Sequence, residues 1–177
     1  VYSEEELDED LGKRILKHII IGNERTPTQD IEYSFRHLTE IGLRALSPGI
    51  NDHQTAKVSL NYITSGLADL FEKFLPNVVY YDDDHNCRIV GKPKYAQHLV
   101  EPAILPIMDA GQNKSDILHH VLDKIHVLSE CAPSPEIKDI LMKLLNIAKD
   151  YISINFDHNQ ALKKELELHA NRVKRNI

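Results

Sequence analysis

Apolar residues recur at helical spacing along most of this chain, interrupted by a short stretch of strand-like alternation. Ser3 followed by Glu6 forms a capping box, and Leu7, Leu11, Ile15 and Ile19 then repeat on one face. These signals predict a first helix over about 4–21, stopping at the turn pair Gly22-Asn23. Thr26-Pro27-Thr28-Gln29 offers a second capping box with proline at the first helical position, followed by Ile31, Phe35, Leu38, Gly42 and Ala45. That helix ends at Ser47-Pro48-Gly49. Asn51 or Asp52 can cap a third, whose stripe Ala56, Leu60, Ile63, Leu67, Leu70, Phe74 holds nearly heptad spacing up to Pro76.

Between 78 and 90 the period changes. Val78-Val79-Tyr80-Tyr81 and Cys87-Arg88-Ile89-Val90 flank the turn-rich Asp82-Asp83-Asp84-His85-Asn86, which predicts a short β-hairpin. Helix resumes over about 94–109, with a break expected at Pro102 or Pro106. A further helix from Asp116 to Ser129 turns Leu118, Val121, Leu122, Ile125 and Leu128 inward and ends at Cys131-Ala132-Pro133. Ser134-Pro135-Glu136 starts the next, with Ile137, Leu141, Leu144, Leu145, Ala148 and Ile152 on one side to about 155. A more polar helix over about 158–175 closes the chain. The fold class expected is all-α: an antiparallel bundle of six to seven helices with one short β-hairpin insertion at about 78–90, forming a single domain over 1–177.

Composition narrows the function classes. The 177 residues are 42% hydrophobic, enough for one core, and the net charge of −6 disfavours nucleic acid as a partner. Cys87 and Cys131 stand far apart without metal-ligand spacing, so neither a disulfide framework nor a thiolate site is expected. The most apolar run, 99–110, contains Glu101, Pro102, Pro106 and Asp109 and is too short to cross a membrane. A start at Val1 inside an acidic helix suggests a piece excised from a longer protein.

Candidate chemistry gathers at the two ends of the second helix. Arg25, Thr26, Gln29 and Asp30 lie before it, and Arg44, Ser47, Asn51, Asp52 and Thr55 follow it. The plain reading assigns Thr26 and Asp52 to capping, pairs Glu40 with Arg44 along the helix, and leaves Pro48-Gly49 to turn the chain. The functional reading makes these residues the ligand-binding set for a small anion, with donors grouped around unpaired amides at the start of helix three. The two segments are separated by a helix length, so a shared pocket needs a neighbouring helix or a second copy. Asp116/His120 and His119/Asp123 have the i, i+4 spacing of paired metal ligands, but no HExxH or further ligand accompanies them, and no metal or cofactor is expected. Asp82-Asp83-Asp84 lacks the glycine and glutamate of a calcium loop. No catalytic residue is assigned: nucleophile elbow, P-loop and GxGxxG are all missing, which ranks a metal-dependent or other hydrolase last.

Arg25-Thr26-x-x-Gln29-Asp30, Leu38, Ile41, and Arg44-Ala45-Leu46-Ser47-Pro48-Gly49-Ile50-Asn51-Asp52 with Thr55-Ala56 together resemble the signature of a bacterial predicted membrane protein family, domain of unknown function 2254. The resemblance implies several N-terminal transmembrane helices in the full-length protein, with this chain as most of the soluble C-terminal region. Its partners would then be its own transmembrane segment, a second copy in a homo-oligomer, or a small anion, and it would lie on the cytoplasmic side of the bacterial cell membrane. The chain departs from the family pattern at His53, where proline is expected after Asn-Asp. That change puts a titratable ring in the first turn of helix three. The functions to be weighed are a regulatory or assembly module and a purely structural oligomerisation module.

Overall fold

The computed structural model describes residues 9–19, 22, 26, 30–73, 79–90 and 97–177. Within them the chain forms α1 (Glu9–Lys17), α2 (Ile31–Ala45), α3 (His53–Lys73), a two-stranded antiparallel hairpin β1 (Val79–Tyr81) and β2 (Cys87–Val90), α4 (Gln97–Ala110), α5 (Ser115–Glu130), α6 (Pro135–Asn155) and α7 (Gln160–Asn176). The all-α bundle with a hairpin insertion is the architecture observed.

Helices α2 to α7 bury one shared apolar cluster. The stripes read from periodicity supply it: Ala56, Leu60, Ile63 and Leu67 of α3, Leu118, Val121, Leu122, Ile125 and Leu128 of α5, and the whole predicted face of α6 are buried. Consecutive helices run antiparallel, and pairs two apart run parallel. Contacts between parallel helices keep a constant sequence offset: Asn51 meets Lys114 and His53 meets Asp116, each 63 residues on, while Glu101 meets Lys143 and Asp109 meets Tyr151, each 42 residues on.

Several boundaries differ from expectation. The first helix ends at Lys17 rather than 21, because the amides of His18 and Ile19 turn to the carbonyls of Ile15 and Leu16 at 3.0 and 3.1 Å and tighten the last turn. Ser3, Glu6 and Leu7 lie outside the described residues, as do Val78 and Phe74. Thr26 does not cap α2. Asp30 does, its carboxylate accepting the amide of Glu32 at 3.1 Å, while the Thr26 carbonyl accepts the Asp30 amide in a preceding turn. Neither proline breaks α4. Pro102 is exposed and Pro106 half-exposed, four residues apart on the outer side. Removal of two helical donors there leaves carbonyls near water, while Val100, Ala103, Ile104, Ile107 and Met108 bury the opposite face.

Two elements stand apart from this core. The hairpin pairs Val79 with Val90, Tyr80 with Ile89 and Tyr81 with Cys87 around a bulge, and Asp82 organises its turn by accepting the amides of Asp84 and Asn86 and the Arg88 guanidinium. Helix α1 buries none of its residues: Leu11 and Leu16 are 40% and 66% exposed, and Ile19, just past its end, is 56% exposed. Neither α1 nor the hairpin packs against another described element.

Candidate functional site

The segment joining α2 to α3 is a tight, self-bonded turn. Ser47 Oγ donates to the Arg44 carbonyl at 2.7 Å, the Ser47 carbonyl accepts the amides of Ile50 and Asn51, and the Asp52 amide returns to the Ala45 carbonyl at 2.7 Å. This closure places Asn51 in the left-handed region at φ 50°, a conformation asparagine tolerates better than most residues. Asp52 then caps α3, its carboxylate accepting the Thr55 amide at 3.0 Å and the Thr55 hydroxyl at 2.5 Å. Those two Thr55 hydrogen bonds, hydroxyl first, hold the Asp52 carboxyl below its ordinary value.

The parallel packing of α3 and α5 brings a second set of polar groups to the same place. Lys114, at the start of α5, donates to Asn51 Oδ1 at 2.6 Å. His53 Nδ1 lies 3.0 Å from Asp116 Oδ1, and its Nε2 lies 3.2 Å from Asn51 Oδ1. Lys57 Nζ reaches Asp116 Oδ2 at 2.7 Å. Partial burial alone would raise the Asp116 carboxyl, but the bonds from Lys57 and His53 outweigh it and leave the group below its usual range. One turn further along, His120 Nε2 stands 2.9 Å from Asn61 Oδ1 and 3.2 Å from the Lys57 carbonyl, and burial pushes this histidine down, with Lys124 adding to the effect.

The structure therefore gathers Asn51, Asp52 and Thr55 into one polar seam and adds His53, Lys57, Asn61, Lys114, Asp116 and His120. Ser47 serves the turn that precedes it. Arg44 is exposed and makes no ion pair among the described residues, so its expected pairing with Glu40 is not formed. Asp30 sits at the far end of the 15-residue α2, about 20 Å away at helical rise, and Thr26 precedes it. Arg25 and Gln29 lie outside the described residues.

The seam differs from the expected anion cradle in one respect: the amide of Thr55 at the α3 N-terminus is already taken by the carboxylate of Asp52. The C-terminal ends of α2 and α4 lie beside the starts of α3 and α5, so helix dipoles largely offset. Side chains set the local field. Lys57 and Lys114 stand beside Asp52 and Asp116, and Arg44 is exposed near the end of α2. Of the residues not singled out as ligands beforehand, Asp116 and His120 carried a signal in their i, i+4 spacing; the structure spends both on α3 rather than on a metal. Among the described residues no three His, Cys, Asp or Glu side chains converge as a metal site. Elsewhere, Phe35, Leu43, Leu99, Pro102 and Pro106 line a small apolar cleft between α2 and α4, rimmed by Glu32, Arg36 and Glu40.

The sequence profile described as "Predicted membrane protein (DUF2254)" matches residues 1–126. Three proteins described as uncharacterized, one from Mycobacterium bovis and two from strains of Mycobacterium tuberculosis, are 40% identical over 73 residues. That stretch is 41% of this chain and 14% of each relative, so the match covers a minor part of the mycobacterial proteins. No solved structure matches the chain.

Proposed function

This chain belongs to the DUF2254 family of predicted membrane proteins, and from that premise we propose that it is an extramembrane, cytoplasmic-side module that assembles and regulates its membrane-embedded protein. No described helix is long and apolar enough to cross a membrane, which is consistent with a region outside the bilayer. The observation that carries the assembly role is the bare apolar face of α1. Leu11 lies on that face with Leu16 beside it, Ile19 follows just past the helix end, and no described element covers any of them. An amphipathic helix with its apolar side in water gains stability by finding a partner, and a second copy of the chain or the protein's own transmembrane segment supplies one.

Sedimentation of the chain over a wide concentration range tests this reading. Self-association that disappears in the variant carrying Leu11→Glu and Ile19→Glu, with far-UV circular dichroism unchanged, is the expected result. A wild-type chain that stays monomeric throughout, and that shows no α1 cross-link to membrane segments in the full-length protein, sinks it.

A small anionic ligand is the second reading, favoured by the cations at the seam. Such a ligand would meet Lys114, His53 and Arg44 around Asn51, by side-chain contacts rather than through the α3 amides. Calorimetric titration with inorganic phosphate, nucleotides and dicarboxylates is the test. Binding that Lys114→Ala abolishes supports this reading, and no heat with any of them removes it.

A further inference from the structure

α7 is tied to α5 by a polar contact that the seam does not use. His119 on α5 and His169 on α7 face each other with their Nδ1 atoms 3.0 Å apart and their ring planes inclined by 34°. Each ring turns its other nitrogen to a carboxylate: His169 Nε2 lies 3.0 Å from Asp123 Oδ1, and His119 Nε2 lies 3.4 Å from Glu165 Oε1. An ionised carboxylate can only accept, so the nearby Asp123 favours a proton on His169 Nε2, and the more distant Glu165 favours one on His119 Nε2 more weakly. Both Nδ1 lone pairs then point into one gap. They repel there unless a single cation stands between them.

Distance decides which cation. A hydrogen bond between two nitrogens spans about 3 Å. A tetrahedral zinc ion held about 2.0–2.1 Å from each imidazole nitrogen needs them about 3.3 Å apart, with further ligands besides. The gap is at the hydrogen-bond length, and no three metal-ligating side chains converge among the described residues. We infer that His119 and His169 share one proton, and that the pair is a latch which a second proton opens, loosening the C-terminal helix α7 from α5.

The surroundings fit one proton better than two. From α5, Asp123 faces the pair, with His126 further along; from α7 come Glu165 and Arg172, with Arg175 beyond. The two carboxylates favour positive charge on the pair, while burial and Arg172 oppose it. Burial pushes His169 below the usual histidine value; Asp123 opposes that shift, and the charges on His119 and Arg172 reinforce it. α6, the other helix packed on α7, sends Lys149 to the Asn171 amide oxygen, and no group of α3, α4 or α6 bonds either ring. α7 is otherwise a polar helix seated by Leu166, Ala170 and Val173, with Leu162 and Ile177 packed beside them, so the histidine pair is its polar tie to α5 within an apolar contact.

Hydrogen exchange of the chain at about pH 7.5 and about pH 5.5, corrected for the intrinsic pH dependence of exchange, reads the latch directly. At one pH unit below the ordinary histidine value a released ring is favoured for protonation by about tenfold. Peptides from Gln160–Asn176 therefore lose about tenfold in protection on acidification, while those from α6 keep theirs. His119→Gln and His169→Gln each abolish that pH response, whatever the starting protection of α7. Nitrogen-15 spectra of the wild-type rings supply a readout that needs no variant: both Nε2 atoms protonated, with one proton averaged over the two Nδ1 atoms. An α7 response that persists in both variants, a loss shared equally by α6, or Nδ1 atoms that each carry a full proton at neutral pH overturns the inference. So does α7 protection that rises with added zinc and falls with chelator, which would assign the gap to a metal.

Discussion

Replacing Gly42 by alanine sets two effects of known size against each other at the crossing of α2, α3 and α4. Alanine in a helix interior is favoured over glycine by about 0.5–1 kcal/mol. A Cβ at this position would lie 2.6 Å from Ile107 Cδ1, 3.0 Å from Ile107 Cγ1 and 3.5 Å from Ser59 Cβ. Ile107 is fully buried, so its side chain yields only by leaving its rotamer or spreading α4 from α2, an overpacking cost of about 1–3 kcal/mol. Overpacking wins, and Gly42→Ala destabilises by up to about 2 kcal/mol, which lowers the melting temperature by about 2–4 °C per kcal/mol for a chain of this length. Ile107→Val removes Cδ1, the clashing atom, and alone costs about 0.5–1.5 kcal/mol. In the double variant the alanine occupies space the valine has vacated, so the two changes together cost less than their sum by about 1 kcal/mol or more. Urea denaturation followed by far-UV circular dichroism on the four proteins gives the coupling. Additivity to within about 0.3–0.5 kcal/mol would show that α2 and α4 are not pressed together here.

Two predictions concern pH. Tyr151 donates to Asp109 Oδ1 at 2.6 Å, and that bond together with burial pushes its ionisation up to about 12. The raised value means a stabilising contribution complete below the ordinary tyrosine range and lost as pH rises towards 12. Spectrophotometric titration will show an ionisation near 12 that Tyr151→Phe removes, and the variant will lose stability less steeply in alkali. For Asp116, part burial acts to raise the carboxyl but the bonds from Lys57 and His53 prevail, so its contribution is present above the ordinary aspartate value and lost as pH falls through the lower folded one. Asp116→Asn will lower the urea midpoint at neutral pH and flatten its fall in acid; an unchanged acid limb would mean that the carboxylate is not held by this pair.

How much of this could be read beforehand depended on the distance over which each feature is encoded. The stripes of α5 and α6 were legible because a helix face is a local repeat, and every residue assigned inward on them is buried. The start of α2 was misplaced by four residues because Thr26 and Asp30 both carry oxygens suited to capping; only the fold shows that the Asp30 carboxylate reaches a first-turn amide. The prolines of α4 misled because proline is penalised in a helix for what it removes, while the burial gained on the opposite face by continuing through Pro102 and Pro106 is a property of the assembled core. The segment from Arg44 to Thr55 was recognisable as unusual. Its partners were not: Lys114 and Asp116 lie 63 residues beyond Asn51 and His53, and nothing local marks two helices as parallel neighbours.

That repeated offset of 63 bears on what the seam is for. Half-exposed ion pairs such as Lys57 with Asp116 contribute little, about 0–1 kcal/mol, and the left-handed backbone at Asn51 costs energy of the same order. The seam is therefore close to neutral in stability, and its effect is geometric. Apolar stripes on α3 and α5 tolerate a slide of one helical turn, because residues four apart then replace one another on the same face. A lysine on one amide oxygen and a histidine on one carboxylate do not: a slide of about 5–6 Å breaks both. By fixing the start of α5 against the start of α3, the polar contacts also fix which cations surround Asn51, so the same bonds that hold the two helices in register set the charge that a ligand or a second copy would meet.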